Sequence, residues 1–148
     1  ELFHMYLREN GVGSVLIPAL SFMRTDRLGE PDMYYIAQNL QAKLEANPDT
    51  ELFITQGYIC LNAWGEVDNL RRGGSDYTAT IVGAAIKASE VQIWTDIDGL
   101  HDNDPRVVEN TAAVEMLSYT EAEELAYFGA KILHPLCLHP DYSNMFSV

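Results

Sequence analysis

Basic residues, cysteines and long apolar runs are all scarce in this chain. Only 9 of its 148 residues are Lys or Arg, against 22 Asp or Glu, for a formal net charge of −13. That balance argues against a nucleic-acid partner, because binding a phosphate backbone relies on clustered cations. It reads instead as a solubilising charge. Two cysteines, Cys60 and Cys137, are too few for a disulfide framework and suit reduced thiols in a cytoplasmic protein. No apolar stretch reaches the ~18–20 residues of a membrane span, and no signal peptide is visible, so no membrane partner is expected. There is no internal repeat and no low-complexity tract.

Hydrophobic residues make up 47% of the chain, enough for a domain with its own core. Residues 1–10 read as a helix stopped by Gly11. Residues 14–20 read as a buried strand, and 32–46 as a helix with apolar residues at Met33, Ile36, Leu40 and Leu44. The Met and aromatic residues of both helices are read as core. Pro31 suits a helix start. Residues 51–60 read as one strand and 61–75 as a loop. A helix over 76–88 and a strand over 90–95 follow. A long polar loop spans 96–106, and a capping box at Thr120 and Glu123 opens a helix reaching about Lys131. Strands alternating with helices predict an α/β fold: three αβα layers around a mainly parallel sheet.

The run Leu70-Arg71-Arg72-Gly73-Gly74-Ser75-Asp76-Tyr77-Thr78 stands out. Glycines allow close backbone approach and positive φ. Ser75 is a good N-cap. A helix N-terminus carries unpaired N–H groups and a partial positive charge. With Arg72 this makes a site for a phosphate or carboxylate, and Asp76 places a carboxylate beside it. Taken alone, Arg72 could be a solvated loop arginine, Asp76 a helix-start acid and Lys131 a helix-end lysine.

Other features carry less. The acid-rich loop 96–104 fails the EF-hand pattern, because Gly99 falls at position four instead of six. His134 and His139 around Cys137 lack zinc-site spacing.

The Arg-Gly-Gly-Ser-Asp-Tyr-Thr run resembles the signature of the aspartate kinases, in the amino-acid kinase family. Further matches follow in family order: Ile54-Thr55-Gln56-Gly57-Tyr58, Ile93-Trp94-Thr95-Asp96, Asp104-Pro105-Arg106-Val107-Val108, and Phe128 through Pro135. Met23-Arg24-Thr25 and Glu30-Pro31-Asp32 fit as well. The resemblance implies a partial amino-acid kinase (carbamate kinase-like) fold and ATP-dependent phosphorylation of aspartate. Arg72, Gly73, Gly74 and Ser75 would hold the substrate. Glu30 would bind its amino group, Tyr58 would line the pocket, and Asp76 would be the catalytic organiser. Thr95, Asp96, His101, Arg106, Lys131 and the backbone at Ile132 would meet the nucleotide. ATP with Mg²⁺ is the implied cofactor, and a homo-oligomeric parent the implied assembly. His101 stands where most members carry Tyr.

The family's Lys-Phe/Tyr-Gly-Gly-Ser/Thr motif does not occur in this sequence. Residues 1–140 therefore read as the C-terminal portion of a catalytic domain, with 141–148 an unassigned tail, and the chain as an inactive fragment of an active parent. The alternatives are a non-catalytic nucleotide-binding or regulatory module, or a kinase of another amino acid.

Overall fold

The computed structural model describes residues 1–71, 73–94, 99, 101–103, 107–128 and 146–147. The chain divides into two compact units, residues 1–78 and 79–148.

In the first unit, helix α1 (Leu2–Glu9) precedes strand β1 (Val15–Leu16), a 3₁₀ turn (Ala19–Ser21) and helix α2 (Met33–Glu45). Strand β1 pairs in parallel with β2 (Phe53–Ile54), and Ile17 N–H extends the ladder to Ile54 O at 2.8 Å. The strand expected over 14–20 is thus cut short. Pro18 lacks an N–H, and its extended backbone leads straight into the 3₁₀ turn. Residues 51–60 are not one strand either. The chain turns at Gly57-Tyr58 and resumes as β3 (Ile59–Leu61), which pairs antiparallel with β4 (Val67–Asn69). The expected loop 61–75 therefore contains half of a hairpin. Asn62 organises its turn, with Oδ1 accepting from the N–H of Trp64 at 2.9 Å and of Glu66 at 3.0 Å. Gly65 supplies φ 81 at the hairpin corner.

The core of this unit is built from Ile17, Ala19, Phe22, Met23, Ile36, Leu40, Cys60, Leu70 and Tyr77. Burying a large apolar side chain contributes roughly 1.5–3 kcal/mol. On α2, Ile36 and Leu40 face inward, one turn apart, while Tyr34 is 75% exposed. Helix α1 departs from expectation. None of its residues is buried, and Leu2, Phe3, Met5 and Tyr6 lie open. Polar bonds tie it down instead: His4 Nδ1 to Ser14 Oγ at 2.9 Å, and Glu1 Oε1 accepting from Gln56 Nε2 at 3.4 Å. Cys60 is a free thiol, buried opposite Asp68. Burial, then the Asp68 carboxylate, pushes its pKa up to about 11.

Helix α3 (Gly74–Ile86) passes from the first unit into the second. It ends two residues earlier than expected. Lys87 adopts φ 53, with Lys87 N–H on Ala84 O at 3.2 Å and Ala88 N–H on Gly83 O at 2.9 Å, the paired bonds of a Schellman stop. In the second unit, β5 (Val91–Gln92) pairs in parallel with β6 (Phe146–Ser147). Residues 141–148, unassigned from sequence, thus include a strand. Gly83 has no side chain where a Cβ would run into Val91. Helix α4 (Tyr119–Phe128) starts earlier than expected, because the capping box is Ser118 and Glu121. Ser118 N–H donates to Glu121 Oε2 at 2.8 Å, and Glu121 N–H returns a bond to Ser118 Oγ at 3.3 Å. These bonds, the hydroxyl's foremost, hold the Glu121 carboxyl below the usual range. The remainder of the helix expected to reach Lys131 lies outside the described residues. Among the described residues, no helix is long and apolar enough to cross a membrane.

Asp32, directly after Pro31, caps α2: its carboxylate accepts the Tyr35 N–H at 3.1 Å. Replacing it removes an acceptor from the first turn. Asp32→Ala should cost about 0.5–2 kcal/mol in a urea titration, and Asp32→Asn much less.

Candidate active site

The Gly-Gly turn and the Gly57-Tyr58 turn meet in the first unit. Tyr58 has φ 75, a left-handed conformation that costs a bulky residue free energy. Ile59 N–H donates across it to Gly57 O at 3.0 Å, the bond pattern of a γ-turn. Three neighbours hold the turn. Leu70 N–H donates to Tyr58 O at 2.8 Å, Tyr58 N–H donates to Thr78 Oγ1 at 3.0 Å, and the Tyr58 ring lies against Gly74. A Cβ on Gly74 would sit 2.8 Å from Tyr58 Cδ2 and 3.1 Å from Leu70 Cβ. A Cβ on Gly57 would sit 3.1 Å from Ser75 Cα. Gly57 thus permits a close approach to the Ser75 backbone, and Gly74 leaves room for the Tyr58 ring and the Leu70 side chain.

Gly73, with φ 72, leads into α3, and its carbonyl accepts the Tyr77 N–H at 2.9 Å. Gly73 is therefore the residue at the cap. Ser75, expected there, is already helical and exposed. Asp76 lies in the first turn, as the sequence suggested. An exposed hydroxyl and a half-buried carboxylate thus sit at the positive end of a 13-residue helix.

Glu30 lies in a tight loop of the same unit. Asp26 Oδ1 accepts from Leu28 N–H at 2.8 Å and from Glu30 N–H at 3.0 Å, and Asp26 N–H donates to Glu30 O at 2.7 Å. Gly29, at φ 85, passes under Arg71, whose Nη2 would lie 3.4 Å from a Cβ there. Arg71 itself has φ 62, and its N–H donates to Asn69 Oδ1 at 2.9 Å. The structure thus brings Glu30, Tyr58, Gly73, Gly74, Ser75 and Asp76 into one unit. Arg24, whose motif was noted without a role, packs within the same unit. Its guanidinium lies 5.0 Å from the Tyr35 ring centroid and donates to Ala63 O at 3.1 Å.

In the second unit, His101 is buried and forms an antiparallel bridge with Ala113. Its Nδ1 lies 2.9 Å from Thr111 Oγ1. Arg72, Thr95, Asp96, Arg106, Lys131 and Ile132 lie outside the described residues. Sequence reasoning missed Thr78 and Leu70, which belong to the same run but carry no chemistry that residue type alone would flag. Among the described residues, no group of three or more His, Cys, Asp or Glu is placed to hold a metal ion.

A glycine-cornered, acid-bearing helix start thus lies within an α/β fold. The family comparison makes that fold specific. A sequence model of the amino acid kinase family matches residues 1–144, and the chain belongs to that family. It is 42% identical over 142 residues to lysine-sensitive aspartokinase 3 of Escherichia coli, covering 94% of this chain and 32% of that protein. It is 40% identical over 111 residues to the chloroplastic bifunctional aspartokinase/homoserine dehydrogenase 2 of Zea mays, covering 75% of this chain and 12% of that one. The crystal structure of E. coli aspartokinase III in complex with aspartate and ADP superposes with a TM-score of 0.87 at 40% identity, over 97% of this chain and 33% of that one. Clostridium acetobutylicum aspartate kinase gives 0.70 at 31% identity, over 84% of this chain and 28% of that one. The fold is therefore the amino-acid kinase α/β fold in part, and the resemblance to aspartate kinases holds across the chain. The chain spans about a third of the length of the E. coli relative.

The Gly74 contact can be tested directly. Alanine would gain up to ~1 kcal/mol in helix propensity. The overlap with Tyr58 and Leu70 should outweigh that, since overpacking costs about 1–3 kcal/mol. Gly74→Ala should therefore lower the urea midpoint and shift the Tyr58 resonances; a stabilised variant would refute the close approach.

Proposed function

We propose that the parent protein is an aspartate kinase. It transfers the γ-phosphoryl group of ATP to the β-carboxylate of L-aspartate. A carboxylate oxygen attacks the γ-phosphorus, the bond to the bridging oxygen breaks, and ADP leaves with 4-phospho-L-aspartate as product. The step opens lysine, threonine and methionine biosynthesis, and the cytoplasm is its proposed location. The observation that carries this reading is the seating of Gly57-Tyr58 on Gly74-Ser75, at the helix start that bears Asp76. The names of the relatives support it: the E. coli structure is a complex with aspartate and ADP.

Phosphoryl transfer needs alignment and charge neutralisation more than covalent help from protein. Arg72 is proposed to grip a substrate carboxylate in a bidentate fork, with Gly73, Gly74 and Ser75 beside it. Glu30 would take the amino group, Tyr58 the pocket wall, and Asp76 the organisation of the reacting group. Thr95, Asp96, His101, Arg106, Lys131 and the Ile132 backbone are proposed for the nucleotide. Mg²⁺ would arrive with ATP, liganded mainly by phosphate and water. Residues 1–140 are proposed as the C-terminal portion of the catalytic domain, and the parent as a homo-oligomer.

The lysine motif missing from this sequence favours a second reading for these 148 residues by themselves: a nucleotide-binding piece without turnover. A coupled assay on this chain should detect no aspartate phosphorylation, and clear turnover would overturn that reading.

For the parent, Asp76→Asn keeps size and helix-start character. Its kcat with aspartate should fall by a factor of at least about 100, the scale of losing an electrostatic catalytic group, with Tm little changed. Near-normal turnover would reduce Asp76 to a helix-start acid. Equal use of glutamate by the unsubstituted enzyme would count against the aspartate assignment.

A further inference from the structure

A threonine inside a helix often turns its hydroxyl back onto the carbonyl one turn earlier, with no wider consequence. Thr78 does this, donating to Gly74 O at 2.6 Å. It also does something that local back-bonding does not explain. The same oxygen accepts the N–H of Tyr58, 20 residues away, at 3.0 Å. Thr78 is only 3% exposed, so both bonds are shielded from water. The residue it reaches is the one with φ 75, and the carbonyl it holds belongs to the glycine under the Tyr58 ring.

We propose that Thr78 is a positioning residue for substrate binding: its hydroxyl locks the strained Tyr58 turn to the first turn of α3, fixing the pocket wall against Gly74, Ser75 and Asp76. This rests on the aspartate-kinase reading of the site. Leu70 N–H on Tyr58 O secures the peptide on the other side of the Tyr58 Cα; the Thr78 hydroxyl is the side-chain member of the pair, open to conservative substitution. Valine keeps the shape of threonine and removes both bonds. Serine keeps both bonds and removes only a methyl group.

The test uses the full-length enzyme. Thr78→Val should raise KM for aspartate about tenfold, the effect of losing about one net hydrogen bond's worth of positioning. KM for ATP should stay within about twofold, because the lock acts on one substrate only. Amide exchange at Tyr58 should accelerate by about tenfold or more, since the amide loses its buried acceptor, while Ile17 in the β1–β2 ladder keeps its rate. Thr78→Ser should restore both readouts. Parallel rises in both KM values with faster exchange at Ile17 would mean general destabilisation and overturn the proposal. So would unchanged Tyr58 exchange in Thr78→Val. If the unsubstituted enzyme failed to phosphorylate aspartate, the functional reading would fall. The exchange measurement would still decide the lock: fast in valine and restored in serine supports it, and no change refutes it.

Discussion

A tyrosine held at φ 75 is the constraint around which the first unit is arranged. Such a conformation costs on the order of 1–3 kcal/mol and persists only where its surroundings offset that cost. Here they do so from three sides: the Leu70 amide, the Thr78 hydroxyl and the bare face of Gly74. The same turn redirects the chain from β2 into β3, so the strain is also what separates the parallel pair from the hairpin. Strain of this kind gathers at functional sites, and here it gathers beside a helix start suited to anions.

The acidic residues do more than keep the chain in solution. Asp26 ties down the loop that presents Glu30, and Asp32 caps α2. Glu121 closes the start of α4 against Ser118. Each carboxylate accepts backbone N–H groups that would otherwise lack a partner, which is a local and geometric duty. A count of charges could not separate these from the solvated remainder.

Periodicity made the helices legible. Those expected over 1–10, 32–46 and 76–88 lie within two residues of α1, α2 and α3. Expected strands fared worse. Residues 51–60 are rich in strand formers, yet composition cannot reveal a left-handed tyrosine. Strand β4 was invisible because all three of its residues are exposed, leaving no alternation to read. In the site, glycines and charges announced the turn at 73–76. Thr78 stayed hidden, because a threonine's propensity says nothing of a partner 20 residues away. The apolar residues of α1 misled for a related reason: hydrophobicity predicts burial only where another surface covers it.

Cys60 sits two positions beyond Tyr58, in the strand that leaves the strained turn. Only the thiolate is nucleophilic, and with a pKa of about 11 roughly one molecule in ten thousand carries it at neutral pH. Burial and the facing Asp68 carboxylate both disfavour the reactive form of this sulfur. The strand that leaves the strained turn thus carries a cysteine whose thiol stays protonated and quiet.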